Sequence, residues 1–167
     1  MRYQAAPLPD GSKGGIKPSS VVPPFHVKAT LYADGGSRGN PGPAASGAVL
    51  FGADGEVLEE IGTFLGITTN NVAEWTALLQ GLKAALARGI DELDVRMDSE
   101  LVVKQLSGAY RVKHPGLIPL HAEAKTLLRK FARTDVRHVR RKDNAAADAV
   151  VNQVLDAHRD TSPLPGG

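Results

Sequence analysis

Four carboxylates stand where this 167-residue chain is expected to pass from one element to the next: Asp34, Glu74, Asp98 and Asp148. Each has an ordinary explanation by itself. Asp before Gly, as in Asp34-Gly35, is common turn chemistry, and a negative charge early in a helix, as at Glu74, is favoured by the helix dipole. Together they suggest more, because ligand groups in an α/β sheet gather at strand ends and the adjoining helix starts. Four acids that converge repel one another and raise each other's pKa unless a cation intervenes. No Lys or Arg is adjacent in sequence to serve all four. A hard divalent cation serves better, since Mg²⁺ prefers oxygen ligands and keeps waters for substrate. Two such ions can stabilise both the attacking and the leaving oxygen of a phosphoryl displacement.

The elements that must position these acids follow from periodicity. His26 to Ala33 alternates as a first strand, which delivers Asp34 into a glycine-rich turn. Ser46–Phe51 and Glu56–Ile67 read as two further strands joined by the hairpin turn Gly52–Gly55. Thr68-Thr69-Asn70-Asn71 offers helix N-cap chemistry. The helix behind it carries an apolar stripe, Val72, Trp75, Leu79, Leu82 and Leu86, and stops at Gly89, with Glu74 in its first turn. Leu93, Val95 and Met97 form a fourth strand that ends at Asp98-Ser99. Ser99 caps a helix closed by Gly108, and a longer helix runs from Ile118 to Ala132. Val136 and Val139 mark a fifth strand, and Asp143 or Asn144 starts the last helix, with Asp148 in its first turns. The order β-β-β-α-β-α-α-β-α predicts an α/β fold: a five-stranded mixed sheet, three antiparallel strands then two parallel, with helices on both faces.

Composition narrows the class. The length fits one domain, and the apolar and charged fractions, 42% and 23%, are those of an ordinary globular protein. There is no Cys, which rules out disulfides and thiolate metal sites and fits a reducing, cytoplasmic compartment. No apolar run is long enough to span a bilayer, so no membrane partner is expected. Residues 1–25 read as a disordered Pro/Gly-rich arm, 26–160 as the folded domain and 161–167 as a flexible tail. Between Arg129 and Lys142 seven basic residues face one acid, Asp135. Such a run is either a solvated face or the footprint of a phosphate-backbone binder.

Asp34-Gly-Gly-Ser-Arg-Gly-Asn-Pro-Gly-Pro-Ala-Ala-Ser-Gly47, Thr68-Thr-Asn-Asn-Val-Ala-Glu74, Asp98-Ser99 and Asn144-Ala-Ala-Ala-Asp148 resemble, in order and interval, the four signature blocks of type 1 ribonuclease H. The resemblance covers Val27 to Ala157. It implies a ribonuclease H-like fold and cleavage of the RNA strand of RNA–DNA hybrids, with two Mg²⁺ (or Mn²⁺) ions and no small-molecule cofactor, leaving 5′-phosphate and 3′-hydroxyl ends. It assigns metal binding and catalysis to Asp34, Glu74, Asp98 and Asp148, with Asp34 and Asp98 nearest both ions and Glu74 also meeting a ribose hydroxyl. The other block residues have physical uses too. Gly35, Gly36 and Gly39 let a sugar-phosphate strand come close where a Cβ would clash, or serve a turn. Asn40, Asn70 and Asn71 suit ribose hydroxyls and minor-groove edges, with Asn70 also a helix-cap candidate. Thr69 matches a position that holds a DNA phosphate in that family.

The chain also departs from the pattern. Many members carry a basic helix-and-loop protrusion rich in Lys and Trp, whereas Gly108–Gly116 is short and has no Trp. Arg111, Lys113 and the basic run are then left to meet phosphates, and weaker hybrid binding is expected. His138 stands at the interval of an auxiliary His but lacks a glycine-rich loop around it, and Arg141 is a comparable candidate near the scissile region. The expected protein is a monomeric, metal-dependent endoribonuclease. Its rivals are a non-catalytic nucleic-acid-binding module on the same fold and a related nuclease acting on other duplexes.

Overall fold

A computed structural model describes residues 26–161; the arm expected at 1–25 and all but the first residue of the tail expected at 161–167 lie outside them. The elements are β1 (Lys28–Ser37), β2 (Gly42–Gly52), β3 (Val57–Thr68), α1 (Asn70–Ala87), β4 (Glu92–Met97), α2 (Glu100–Ser107), α3 (Ile118–Leu128), β5 (Arg133–His138), a 3₁₀ turn (Arg141–Asn144) and α4 (Ala145–Thr161). Their order agrees with the sequence reading. The strands form one sheet in the spatial order β3-β2-β1-β4-β5. β1, β2 and β3 pair antiparallel, while β4 pairs parallel to both β1 and β5.

The two faces of the sheet carry unequal cores. On one, Leu31, Leu50, Leu93, Val95 and Met97 pack with Trp75, Leu78 and Leu82 of α1, and with Ala124 and Leu127 of α3. On the other, Ala45 meets Val151 and Leu155 of α4 in a smaller cluster. Alternation along β1 explains the division: Leu31 and Ala33 are fully buried, and Tyr32 between them is only half-buried.

Several boundaries differ from expectation. β1 does not stop at Ala33 but continues to Ser37, and β2 begins at Gly42 rather than Ser46, so Asp34 lies inside a strand, paired with Gly47. No apolar side chain marks this extension, because Gly35 and Gly36 form it. A Cβ on Gly35 would lie 2.2 Å from the backbone carbon of Ala73, so this strand position is held by the close packing of α1. Glu74 lies just past the first turn of α1 rather than within it, and the N-cap is Thr69, whose Oγ1 accepts from the Val72 amide. α3 ends at Leu128, not Ala132, because the amides of Ala132 and Arg133 donate to the Asp91 carbonyl and draw the chain into β5. The last helix reaches Thr161, one residue into the expected tail.

No helix interrupts the chain between α2 and α3. Gly108 closes α2 at φ +86°, a left-handed conformation that suits glycine.

Candidate active site

The parallel ladder between β1 and β4 has Ala33 and Met97 as its last pair, and the next residue on each strand is an acid, Asp34 and Asp98. Two carboxylates are thereby set side by side just past the end of the parallel ladder, where β4 stops and β1 runs on beside β2. Glu74 arrives from α1. The missing Cβ of Gly35 lets the Ala73–Glu74 backbone lie against β1, and Glu74 Oε1 accepts from the Gly35 amide at 2.9 Å. One oxygen from each of Asp34, Glu74 and Asp98 lies within 4.8 Å of the others.

Asp148 comes from the opposite face of the sheet. A Cβ on Gly47, the strand partner of Asp34, would lie 2.7 Å from the Ala147 carbonyl oxygen, so glycine there admits the first turn of α4 onto β2. Asp148 shares a cleft with the other three acids, together with Gly35, Gly36, Asn70 and Arg141. It stands outside the tight group of three.

Asn144, a helix-start candidate in the sequence, has a larger role. It is fully buried, and its Nδ2 donates to the Ala33 carbonyl at 3.0 Å and to Asp98 Oδ1 at 3.2 Å. One side chain thus pins the turn before α4 to the end of the β1–β4 ladder. The signal for it is faint in sequence, since an Asn before a helix reads first as a cap.

Burial and mutual repulsion strain the acids. The Asp34 carboxyl is pushed up to about 7 by burial first, then by Asp98 and Asp148. Glu74 is pushed up to about 9 by burial, then by Asp34 and Asp98, opposed by the Gly35 amide and Arg141. Unpaired charge of this density is costly. An all-oxygen set in which acids repel one another fits hard divalent cations, which would relieve that repulsion.

The remaining candidates divide. Arg141 Nη2 lies 3.8 Å from Asp148 Oδ1 and lines the cleft. His138 ends β5, exposed, and is absent from the cleft lining. Asn70 is exposed, and its Oδ1 accepts from both the amide and the hydroxyl of Ser37. Asn40 Oδ1 accepts from the Asn70 amide. Both carboxamide oxygens are therefore occupied, and each Nδ2 is left to donate outward. Gly35 serves the α1 contact and also lines the cleft. A Cβ on Gly36 would meet only Val151 Cγ1 at 3.6 Å, an ordinary contact. The basic run is less bare than its composition suggests: Arg133, Arg137 and Arg140 lie within 4.0 Å of Glu92, Asp135 and Asp143.

Comparison with known proteins agrees with this geometry. A family model described as Reverse transcriptase-like matches residues 32–154. Ribonuclease HI of Halobacterium salinarum is 46% identical over 136 residues, covering 81% of this chain and 68% of that protein. Bifunctional protein Rv2228c of Mycobacterium tuberculosis is 47% identical over 132 residues, or 78% of this chain, but the match spans only 36% of that longer protein. The solved N-terminal RNase H domain of Rv2228c superposes with a TM-score of 0.78, covering 82% of this chain and 99% of that one at 46% identity. LC11-RNase H1, solved in complex with an RNA/DNA hybrid, gives a TM-score of 0.73 at 40% identity, covering 78% and 98%.

Proposed function

The chain belongs to the ribonuclease HI family, and from that premise we propose that it is an endoribonuclease hydrolysing the RNA strand of RNA–DNA hybrids. The observation that carries this reading is the meeting of Asp34, Glu74 and Asp98 oxygens within 4.8 Å just past the β1–β4 ladder. LC11-RNase H1, crystallised with an RNA/DNA hybrid, supports the substrate class.

Asp34, Glu74, Asp98 and Asp148 would hold two Mg²⁺ (or Mn²⁺) ions. When bound, the ions supply the charge that activates water and steadies the departing 3′-oxygen. The chain's own groups align the strands. Asn40 and Asn70 present amide donors, which suit the 2′-hydroxyl and the acceptors of the minor groove, with Asn71 beside them. Thr69 accepts a helix amide at its hydroxyl oxygen and keeps its proton to donate to a DNA phosphate. Gly36 provides a strand surface without a side chain. Arg141, next to Asp148, provides a cation for the scissile region. In-line attack by water at phosphorus with departure of the 3′-oxygen leaves 5′-phosphate and 3′-hydroxyl ends. No sequence readout is required, and we place the activity in the cytoplasm. Among the described residues, no helix is long and apolar enough to cross a membrane.

The test uses labelled RNA–DNA, RNA–RNA and DNA–DNA duplexes, with Mg²⁺ or EDTA, beside Asp34→Asn. Cleavage is expected of the hybrid alone, and is lost with EDTA and in the variant. Binding without cleavage would identify a non-catalytic module, and comparable cleavage of the other duplexes would identify a different nuclease.

A further inference from the structure

Asp148 is held from within its own helix. Its Oδ2 accepts from Nδ2 of Asn152, one helical turn onward, at 3.3 Å, and the same nitrogen donates to the Asp148 carbonyl at 3.0 Å. Asn152 Oδ1 in turn accepts from Arg38 Nη2 at 3.3 Å. Arg38 belongs to the segment between β1 and β2, and the same Nη2 lies 2.7 Å from Asp156 Oδ1. Asp148, Asn152 and Asp156, spaced four apart, lie along one face of α4, and Arg38 spans the second and third. The carboxamide of Asn152 has one orientation compatible with these neighbours: flipped, its oxygen would face the acceptors of Asp148 and its amino group the guanidinium.

Stability does not account for the arrangement. The Arg38 and Asp156 side chains are 38% and 51% exposed, and ion pairs so open to water contribute little. Arg38 and Asn152 both line the cleft that holds the four acids. The segment bearing Arg38 is tied at its other side to the start of α1, through Ser37 and Asn40 to Asn70. One short stretch of chain therefore touches both the proposed substrate donors and the holder of the fourth acid.

We propose that Asn152, oriented by Arg38, is a positioning residue that aims the Asp148 carboxylate at the shared cation site. The weaker ion site then depends on the β1–β2 loop. This rests on the reading of the four acids as metal ligands. Groups that orient a ligand carboxylate are typically worth about 10- to 100-fold in metal affinity or activity.

Mn²⁺ alone is titrated calorimetrically into the metal-free full chain, and kcat and KM are measured on a hybrid, for Asn152→Ala, Arg38→Ala and the double variant. Asn152→Ala is expected to weaken the weaker Mn²⁺ step and lower kcat by about tenfold each, with KM within about twofold and Tm unchanged. Arg38→Ala moves the same quantities less, and the double variant is no worse than Asn152→Ala, because Arg38 acts through Asn152. An unchanged Mn²⁺ isotherm in Asn152→Ala overturns the proposal. So do additive effects, or a rise in KM without change in Mn²⁺ binding in Arg38→Ala, which would make Arg38 a substrate contact. Absence of hybrid cleavage by the unsubstituted protein would sink the functional reading, while the Mn²⁺ titration would still decide the role of Asn152.

Discussion

At the scale of single residues, the site is defined by acids kept where acids are costly. Glu74 has a folded-state pKa near 9 against an ordinary 4.5, and Asp34 one near 7 against 3.8. The folded protein therefore holds protons that the unfolded chain has released, and linkage gives the sign. Stability from this source is fully present below the ordinary values and is lost as pH rises through the folded ones. Metal-free protein should lose thermal stability between about pH 5 and 9, and Glu74→Gln should flatten that slope, measured as Tm in EDTA. Added Mg²⁺ should raise Tm most at the alkaline end, where the acids are ionised. A Tm that climbs with pH in EDTA, or a Glu74→Gln slope equal to that of the parent, would contradict the account. The four acids could be found in the sequence because their motifs are local. Arg38 and Asn152 could not, since nothing local links residues 114 apart.

Among the elements, helices and strands were legible wherever apolar side chains mark a period, as in the Trp75–Leu82 stripe of α1 or the Leu93-Val95-Met97 alternation of β4. Legibility fails where glycine carries the structure, and the sequence pattern of β1 ends four residues early for that reason. The extension matters, because it carries Asp34 past the β1–β4 ladder and brings Gly35 under α1. Gly35→Ala must push α1 away from β1 and withdraw Glu74, costing about 1–3 kcal/mol or more as overpacking does, with cleavage lost as well. Gly36→Ala meets only an ordinary contact and should fold with an unchanged Tm. Chemical denaturation of the two variants side by side tests this, and equal destabilisation would refute it. Loss of hybrid affinity in Gly36→Ala alone would be the mark of a strand passing over that position.

For the molecule as a whole, the question is how a chain of net charge +2 grips a polyanion. The run from Arg129 to Lys142 reads in sequence as a phosphate footprint, but acids that lie on other elements or loops, such as Glu92 under Arg133, can be seen only once the sheet is assembled. Arginines paired so openly stay accessible to phosphate, and Arg111 and Lys113, both exposed in the segment between α2 and α3, extend the set of cations that can meet it. Replacing either with Ala should lower the magnitude of the slope of log K against log salt by about 1 and weaken binding to hybrids of any sequence alike. Fluorescence anisotropy across a salt series measures it, and an unchanged slope in both variants would return the contact to the Arg129–Lys142 run.

The two glycine-lined contacts, Gly35 under α1 and Gly47 under α4, clamp the central strands from above and below at the very pair of positions that flank Asp34. The strand that bears Asp34 and its β2 partner are held in such a vice on both faces. Warmed gradually, the molecule should keep working until the sheet itself gives way, so that inactivation and melting coincide.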